Sequence, residues 1–270
     1  AVDISPRMVE LTRARGIDVQ VADVQELPFD EGLKLERELF LELMNSPQSK
    51  AQRHAFFGER EVSRSPRLPA EVPGVPVRAI AIVGSSAAAV AIATDLSRRV
   101  PTTLVADGGP VEGELGEVRQ GHFSDLQEAT VVVVAASGEE LEKALAELDS
   151  ECATGAVIAI SAHDVNLTEA ASTTKHPERV LGLNFEGSRL MEVIAVPTTA
   201  SRARATAMEL GKALRKVAIL EEAQRGSASA RLRDAYQAAA VSLMQEGAPS
   251  VQVERVLSAF GFPLPARPSI

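Results

Sequence analysis

The chain has 270 residues, of which 45% are apolar and 24% charged, and its formal net charge is −9. This length supports a large core without disulfides, and the acidic balance argues against a nucleic-acid or anionic-membrane partner. Aromatic residues make up 3% and Cys152 is the single cysteine, which argues against a base-stacking surface and a disulfide framework. We therefore expect a cytoplasmic protein with no membrane-spanning segment.

Changes in composition along the chain predict five segments. They are a strand–helix–strand fragment (1–32), linker helices (33–63), a proline-rich linker (64–76), a strand-rich domain (77–220) and a short, truncated C-terminal helical region (221–270). The linker helix is expected to break near Pro47. Its apolar residues recur at helical spacing, at Leu35, Leu39, Phe40 and Leu43.

From Val77 onward, continuous Val/Ile runs alternate with helical segments. The predicted strands are 77–84, 102–106, 130–136, 155–161, 179–185, 190–196 and 216–220. The predicted helices are 86–100, 139–152, 200–214, 227–246 and 249–260. Uninterrupted apolar strands bounded by helices are typical of a parallel sheet that is covered on both faces. The sequence therefore predicts a doubly wound α/β fold.

The stretch IVGSSAAAVAIATDL (82–96) has the context of a dinucleotide-binding turn, a strand followed at once by a helix. Gly84 fits the first glycine of such a turn, whereas Ser86 and Ala89 replace the other two. Asp107 follows the next strand, one place later than the expected ribose-binding carboxylate. The residues leave two interpretations open, a weakened NAD site at Gly84, Ser86 and Asp107 or an ordinary strand-to-helix turn.

From about Gly32 to its end, the chain resembles the middle part of multifunctional fatty-acid β-oxidation proteins. In these, a linker helix joins an enoyl-CoA hydratase domain to a Rossmann-like 3-hydroxyacyl-CoA dehydrogenase. The most specific stretch is ERELFLELMNSPQSKAQRHAFFGEREV, which resembles the linker. The likeness continues through VRAIAIVG, ELDSECATGAVIAIS, LMEVIAV and RLRDAYQAAAVSLMQEGA and ends at AFGFPL. The resemblance implies an NAD cofactor and an acyl-CoA substrate.

The resemblance also implies where catalytic residues would stand. The family's catalytic His opens an HFFNP motif, but NFEGS places Asn184 there; the Glu partner survives in LMEVI as Glu192. Since an Asn cannot accept the hydroxyl proton, we expect Glu192 to be a strand-end carboxylate and not part of a working pair.

Other family positions have changed as well. The family's substrate loop NTSS reads SAHD in this chain, with His163 in place of the first Ser. The family's GFxxNR motif reads GSASAR, which keeps Gly226 and Arg231 but places Ala230 at the Asn. The interval between Asp107 and the next strand lacks the family's helical pair. A replacement base at His163 is an alternative, though a solvated loop His is the commoner role. No His spacing predicts a metal site.

Residues 1–32 resemble instead a fragment of a class I S-adenosylmethionine-dependent methyltransferase. In that family Asp3 would contact the cofactor ribose and Asp23 its adenine. The glycine-rich loop of that family is absent, so we expect no methyl transfer.

Three hypotheses follow for function. The first is a degenerate dehydrogenase-like domain, a pseudoenzyme with little or no hydride transfer and weak NAD or acyl-CoA binding. The second is a non-catalytic structural module that holds a protein partner or a second copy of itself. The third is an active dehydrogenase with a rearranged site.

Overall fold

The computed structural model describes residues 27–62, 72–106, 111, 113–116, 118–161, 165–187, 189–223 and 227–262. The described residues fall into two compact units, which meet in the chain between Glu61 and Val62. The predictions for Asp3, Asp23, Asp107, His163 and Gly226 lie outside the described residues.

The first unit contains two helices, α1 (Phe29–Asn45) and α2 (Pro47–Val62). The break falls where the sequence predicts it, because Ser46 precedes a proline and is held in an extended conformation, with ψ at 149°. The Ser46 hydroxyl accepts a hydrogen bond from the Ser49 amide at 3.1 Å and so caps α2. Of the apolar stripe, Leu35 and Leu39 are half-buried, whereas Phe40 and Leu43 are exposed.

The second unit is built on an eight-stranded sheet with the order β3-β2-β1-β4-β5-β6-β7-β8. Its strands are β1 (Ile80–Val83), β2 (Thr102–Val105), β3 (Arg119–Gly121), β4 (Val131–Val134), β5 (Val157–Ile160), β6 (Val180–Glu186), β7 (Leu190–Ala195) and β8 (Val217–Glu222). β1 to β6 run parallel, β7 is antiparallel to β6, and β8 is parallel to β7. The predicted doubly wound fold is confirmed.

Helices cover both faces of this sheet. They are α3 (Ala87–Ser97), α4 (Gly138–Glu151), α5 (Leu167–Ser172) and α6 (Ser201–Ala213). Two further helices, α7 (Ala228–Gln245) and α8 (Ser250–Phe260), follow β8 and pack in a small cluster of their own. Alternate residues of a strand point to opposite faces, so Val131 and Val133 pack in the core under α3 and α6, and Val132 and Val134 pack under α4. This two-sided burial explains why the strands are continuous apolar runs.

Four short elements have no counterpart among the predicted strands and helices: β3, α5 and two 3₁₀ helices, over Phe123–Glu128 and Pro177–Arg179. β3 is polar and largely exposed, so it carries no apolar run that a sequence pattern could detect. β3 and the 3₁₀ helix over Phe123–Glu128 occupy the interval where the resemblance would place a helical pair. There Asp125 accepts a hydrogen bond from the His122 amide at 2.9 Å and forms an ion pair with Arg119 at 3.2 Å.

No helix among the described residues is long and apolar enough to cross a membrane.

Candidate functional site

The turn after β1 requires a glycine at its first position. The φ angle of Gly84 is +145°, in a region that side-chain-bearing residues rarely adopt. A Cβ atom on Gly84 would lie 2.7 Å from the carbonyl oxygen of Ala135, which follows β4. Gly84 therefore has the tight-turn role that the sequence assigns to it.

Ser86 caps helix α3. Its hydroxyl accepts a hydrogen bond from the Ala89 amide at 3.2 Å, and the first intrahelical bond runs from the Val90 amide to the Ser86 carbonyl at 3.1 Å. The amides of Ala87 and Ala88, at exposed positions, come before the first amide that has a helical acceptor. The turn therefore keeps amides that an anion can use, but the serine takes one for itself.

Ala89 occupies the position of the third glycine and is fully buried. A Cβ on Gly84 would lie 3.2 Å from the Ala89 methyl group, so helix and strand end approach each other closely here. An alanine is small enough to permit this approach.

The ribose-binding position follows β2, which ends beside the turn. Val83 pairs with Val105, and the Gly84 amide donates to the Val105 carbonyl at 3.0 Å. Asp107 comes two residues after Val105 in the chain but lies outside the described residues, so its contact with a ribose stays a prediction.

The two residues at the positions of the family's catalytic pair lie side by side. Asn184 on β6 is directly opposite Glu192 on β7, and its Nδ2 atom donates to Glu192 Oε2 at 2.6 Å. The structure corrects the expectation of a strand-end carboxylate. Glu192 is the third residue of the six-residue β7 and lies within the sheet, because it pairs with Asn184 of β6 on one side and with Ile219 of β8 on the other.

Two serines at the start of α7 complete this cluster. The Ser229 amide donates to Glu192 Oε1, and the Ser229 hydroxyl donates to Glu192 Oε2, both at 2.7 Å. Asn184 Nδ2 also lies 3.1 Å from the Ser227 hydroxyl oxygen and 3.3 Å from that of Ser229. Sequence reasoning missed both serines as site residues, although a serine at the start of a predicted helix is a signal for an N-cap.

Glu192 is held as an anion. It is fully buried, and burial by itself raises the pKa of a carboxyl group. The hydrogen bonds from the Ser229 hydroxyl, the Ser229 amide and Asn184 act in the opposite direction and outweigh burial, so the pKa of Glu192 is lowered. A carboxylate with both oxygens engaged and a lowered pKa is a poor proton acceptor.

The remaining predicted positions are dispersed around the site. Ala230 donates its amide to the Ser227 hydroxyl at 3.2 Å, and its methyl group has no donor or acceptor to replace the family's Asn. Arg231 Nη2 lies 3.2 Å from Glu221 Oε2.

Ser161, the first residue of the SAHD stretch, follows β5, where its amide donates to the Val134 carbonyl at 2.9 Å. Among the described residues, no group of three His, Cys, Asp or Glu side chains is placed to hold a metal ion.

A family model for the NAD-binding domain of 3-hydroxyacyl-CoA dehydrogenase matches residues 82–224. The chain belongs to this family. The match begins within β1 and ends after β8, so it takes in the turn at Gly84 and the pair Asn184–Glu192. The dehydrogenase resemblance is confirmed; the methyltransferase resemblance of residues 1–32 stays a prediction.

Curated relatives are similar to this chain in sequence, and solved structures share its fold. The human peroxisomal bifunctional enzyme is 28% identical over 273 residues, which cover 88% of this chain and 38% of that protein. The dehydrogenase part of multifunctional enzyme 1 from C. elegans aligns with a TM-score of 0.57 at 18% identity, over 72% of this chain and 52% of that one. The (S)-3-hydroxybutyryl-CoA dehydrogenase PaaH1 from Ralstonia eutropha aligns with a TM-score of 0.59 at 19% identity, over 70% of this chain and 80% of that one. This dehydrogenase-family chain thus spans about two-fifths of the length of the human relative.

Proposed function

We propose that this chain is a degenerate 3-hydroxyacyl-CoA dehydrogenase-like domain of the β-oxidation type, which binds a dinucleotide weakly and transfers little or no hydride. The observation that carries the proposal is the hydrogen-bonded pair of Asn184 and Glu192 at the position of the family's His and Glu. Oxidation of a 3-hydroxy group needs a base that takes the hydroxyl proton while hydride leaves the carbon.

Neither member of this pair meets that need. The Asn184 amide nitrogen is a donor and is already turned toward Glu192. Glu192 accepts two hydrogen bonds from Ser229 in addition and is fully buried, so both of its oxygens are already engaged by protein donors. The proton therefore has no acceptor of suitable basicity at this position.

The turn at Gly84 still fits a dinucleotide in part. NAD, when bound, supplies the hydride acceptor. Gly84 would allow the close turn, the amides of Ala87 and Ala88 would hold the pyrophosphate, and Asp107 would hold the ribose. The Cβ and hydroxyl of Ser86 stand where the second glycine leaves room, which is the reason to expect weak binding. Weak acyl-CoA binding and a cytoplasmic location are parts of the same proposal; the name of the human relative places that protein in peroxisomes.

A non-catalytic structural module is the second candidate. It is favoured by the capped turn, since Ser86 satisfies an amide that a phosphate would otherwise use. It is also favoured by helix α1, where Phe29 and Phe40 are 82% and 59% exposed, as they would be on a surface for a protein partner or a second copy. In this reading no ligand binds the sheet. The third hypothesis, an active enzyme with a rearranged site, requires a base from outside the pair, such as His163.

Two measurements on the purified full chain distinguish these hypotheses. The first is NADH formation from NAD and 3-hydroxybutyryl-CoA, with Glu192→Gln as the matched variant. The proposal predicts no rate above background for either form. A rate that Glu192→Gln abolishes would overturn it, and a rate that survives Glu192→Gln would favour the rearranged site.

The second measurement is the melting temperature with increasing NAD or NADH. A ligand at a hundred times its dissociation constant stabilises the folded state by about 2.7 kcal/mol, so even millimolar affinity gives a measurable shift. A saturable shift supports the degenerate dehydrogenase-like domain. No shift at any concentration favours the structural module.

A further inference from the structure

The first turn of α7 is held by side chains at three successive amides. The Ala228 amide donates to Glu221 Oε1 at 3.0 Å, the Ser229 amide to Glu192 Oε1 at 2.7 Å, and the Ala230 amide to the Ser227 hydroxyl at 3.2 Å. These are the helix-end amides that lack a helical acceptor, because the Arg231 amide is the first to reach a carbonyl, that of Ser227, at 3.0 Å. An ordinary N-cap serves one or two of these amides, whereas here all three are paired.

The two carboxylates come from neighbouring strands. Glu192 on β7 pairs with Ile219 of β8, and Glu221 follows two residues later, so both carboxylates lie on the same face of the sheet. Glu192 is fully buried and Glu221 is 7% exposed. The α7 side chain Arg231 completes the arrangement by donating to the second oxygen of Glu221 at 3.2 Å.

Two physical effects stabilise a carboxylate at the N-terminal end of a helix. The N-terminal end of a helix carries a partial positive charge, which favours a negative group there. Hydrogen bonds to a charged acceptor are shorter and stronger than those between neutral groups. A buried carboxylate that lost these donors would remain uncompensated, so helix and carboxylates each depend on the other.

We propose that Glu192 and Glu221 form a two-carboxylate anchor that fixes the first turn of α7 to the sheet. This inference goes beyond the proposed function and assigns Glu221, which the family motifs do not single out, a positioning role. In this chain the Glu at the catalytic-pair position binds a helix and not an imidazole. The anchor stands whether or not the domain binds a dinucleotide.

Apolar packing of the C-terminal helices makes the anchor more important. The buried apolar side chains of α7 and α8 are Ala240 and Val253, both small or medium in size. Leu232 and Val251 are 73% and 74% exposed. Tyr236 stacks on Phe262 with ring centroids 4.1 Å apart, which ties α7 to the end of α8 but not to the sheet. The polar first turn is therefore a direct attachment of the helix pair to β7 and β8.

Hydrogen–deuterium exchange of the full chain tests the anchor. The variants are Glu192→Gln and Glu221→Gln, which keep side-chain shape and remove the negative charge. The matched control is Glu222→Gln, on the same strand as Glu221, since Glu222 pairs with Arg204 at 2.7 Å and does not cap α7. The readout is the exchange rate in peptides from α7, compared with peptides from β4 and β5.

In both anchor variants we expect the amide hydrogens of α7 to exchange about tenfold faster than in the wild type, or more, because each variant loses a charge-assisted hydrogen bond. The amides of β4 and β5 should stay protected. The control should match the wild type in all peptides. Unchanged protection of α7 in both anchor variants would overturn the proposal. Equal loosening of α7 and of β4 and β5 would also overturn it, since the carboxylates would then stabilise the whole domain and not the helix. If Glu192→Gln does not fold, Glu221→Gln supplies the same test alone.

Discussion

The turn after β1 and the β6–β7 pair are two of the places where this chain departs from the family's motifs, and they depart in different ways. At the turn, Gly84 keeps the backbone geometry, while Ser86 takes over one amide and Ala89 keeps the close packing. At the β6–β7 pair, Asn184 stands at the position where the resemblance places the family's catalytic His. Under the proposed function, the turn therefore keeps part of a binding surface, whereas the pair offers no base.

This difference explains why binding and turnover are expected to separate. A helix N-terminus binds an anion through backbone amides, which survive most substitutions. General base catalysis needs one side chain with a suitable pKa, which a single substitution removes. The Glu192 carboxylate accepts a hydrogen bond from the Ser229 amide in the first turn of α7, which gives it a structural use that does not depend on a base at Asn184.

We expect the largest loss of stability from Gly84→Ala, which disrupts the turn after β1. The added Cβ would lie 2.7 Å from the Ala135 carbonyl oxygen at a φ of +145°, so strand and turn must both shift. We expect a loss of about 3 kcal/mol or more in the free energy of unfolding, measured by urea denaturation. Gly155→Ala is the matched control, since a Cβ there meets nothing within 4 Å. A Gly84→Ala protein as stable as this control would contradict the account of the turn.

The second effect concerns Glu192 and pH. Because the folded-state pKa of Glu192 is lowered, its contribution to stability is fully present above the unfolded-state pKa, about 4.3, and is lost as the pH falls through the lower folded value. We expect Glu192→Gln to lower the free energy of unfolding by about 1.5–3 kcal/mol at neutral pH.

The same variant should also flatten the decline of stability in acid. Urea denaturation of both forms at a series of pH values measures this. Glu222→Gln should fall within about 0.5 kcal/mol of the wild type, because Glu222 is half-exposed. An acid decline of stability that is identical in the wild type and Glu192→Gln would contradict the assignment.

A smaller effect is expected from Ser86→Gly, which restores the second glycine of the turn. Removal of the Cβ and hydroxyl gives the pyrophosphate room and frees the Ala89 amide, so dinucleotide binding should strengthen, as titration calorimetry would show. Loss of the Ser86 cap of α3 should lower the free energy of unfolding by only a few tenths of a kcal/mol. Asn166→Gly is the control, because Asn166 caps α5 in the same way, accepting from the Glu169 amide at 3.3 Å. Equal or weaker binding by the Ser86→Gly form would count against the turn as a residual site.

The smallest effect is expected from deletion of residues 1–26, which leaves α1 and α2 whole. Residues 1–32 resemble a fragment of a methyltransferase, and Asp3 and Asp23 match only its two acidic positions, so we expect them to be insufficient for binding S-adenosylmethionine. We expect a modest change in melting temperature, an unchanged response to NAD, and no shift with S-adenosylmethionine in either form. A saturable S-adenosylmethionine shift in the full chain that Asp3→Ala abolishes would overturn this prediction.

Much of the fold could be predicted because its strands are apolar runs that are buried on both faces. β1, β4 and β5 are of this kind, whereas the polar edge strand β3 gives no such signal. The site was predictable only where a motif carries it. Gly84, Asn184 and Glu192 follow from motif positions, but Ser229 approaches Glu192 across 37 residues of chain. Such a contact depends on how α7 docks on the sheet, which no local pattern encodes.

The most direct test of the central claim is the pKa of the Glu192 carboxyl, measured by carbon-detected NMR with Glu192→Gln to assign the signal. The account predicts a pKa below the ordinary glutamate range, because the Ser229 amide and hydroxyl and Asn184 stabilise the anion more than burial destabilises it. Ser229→Ala, which removes the hydroxyl and keeps the amide, should move the pKa of Glu192 upward. A Glu192 pKa raised toward neutrality, and unchanged in Ser229→Ala, would contradict the account, since that carboxyl would be a base awaiting a proton and not an acceptor held by a helix.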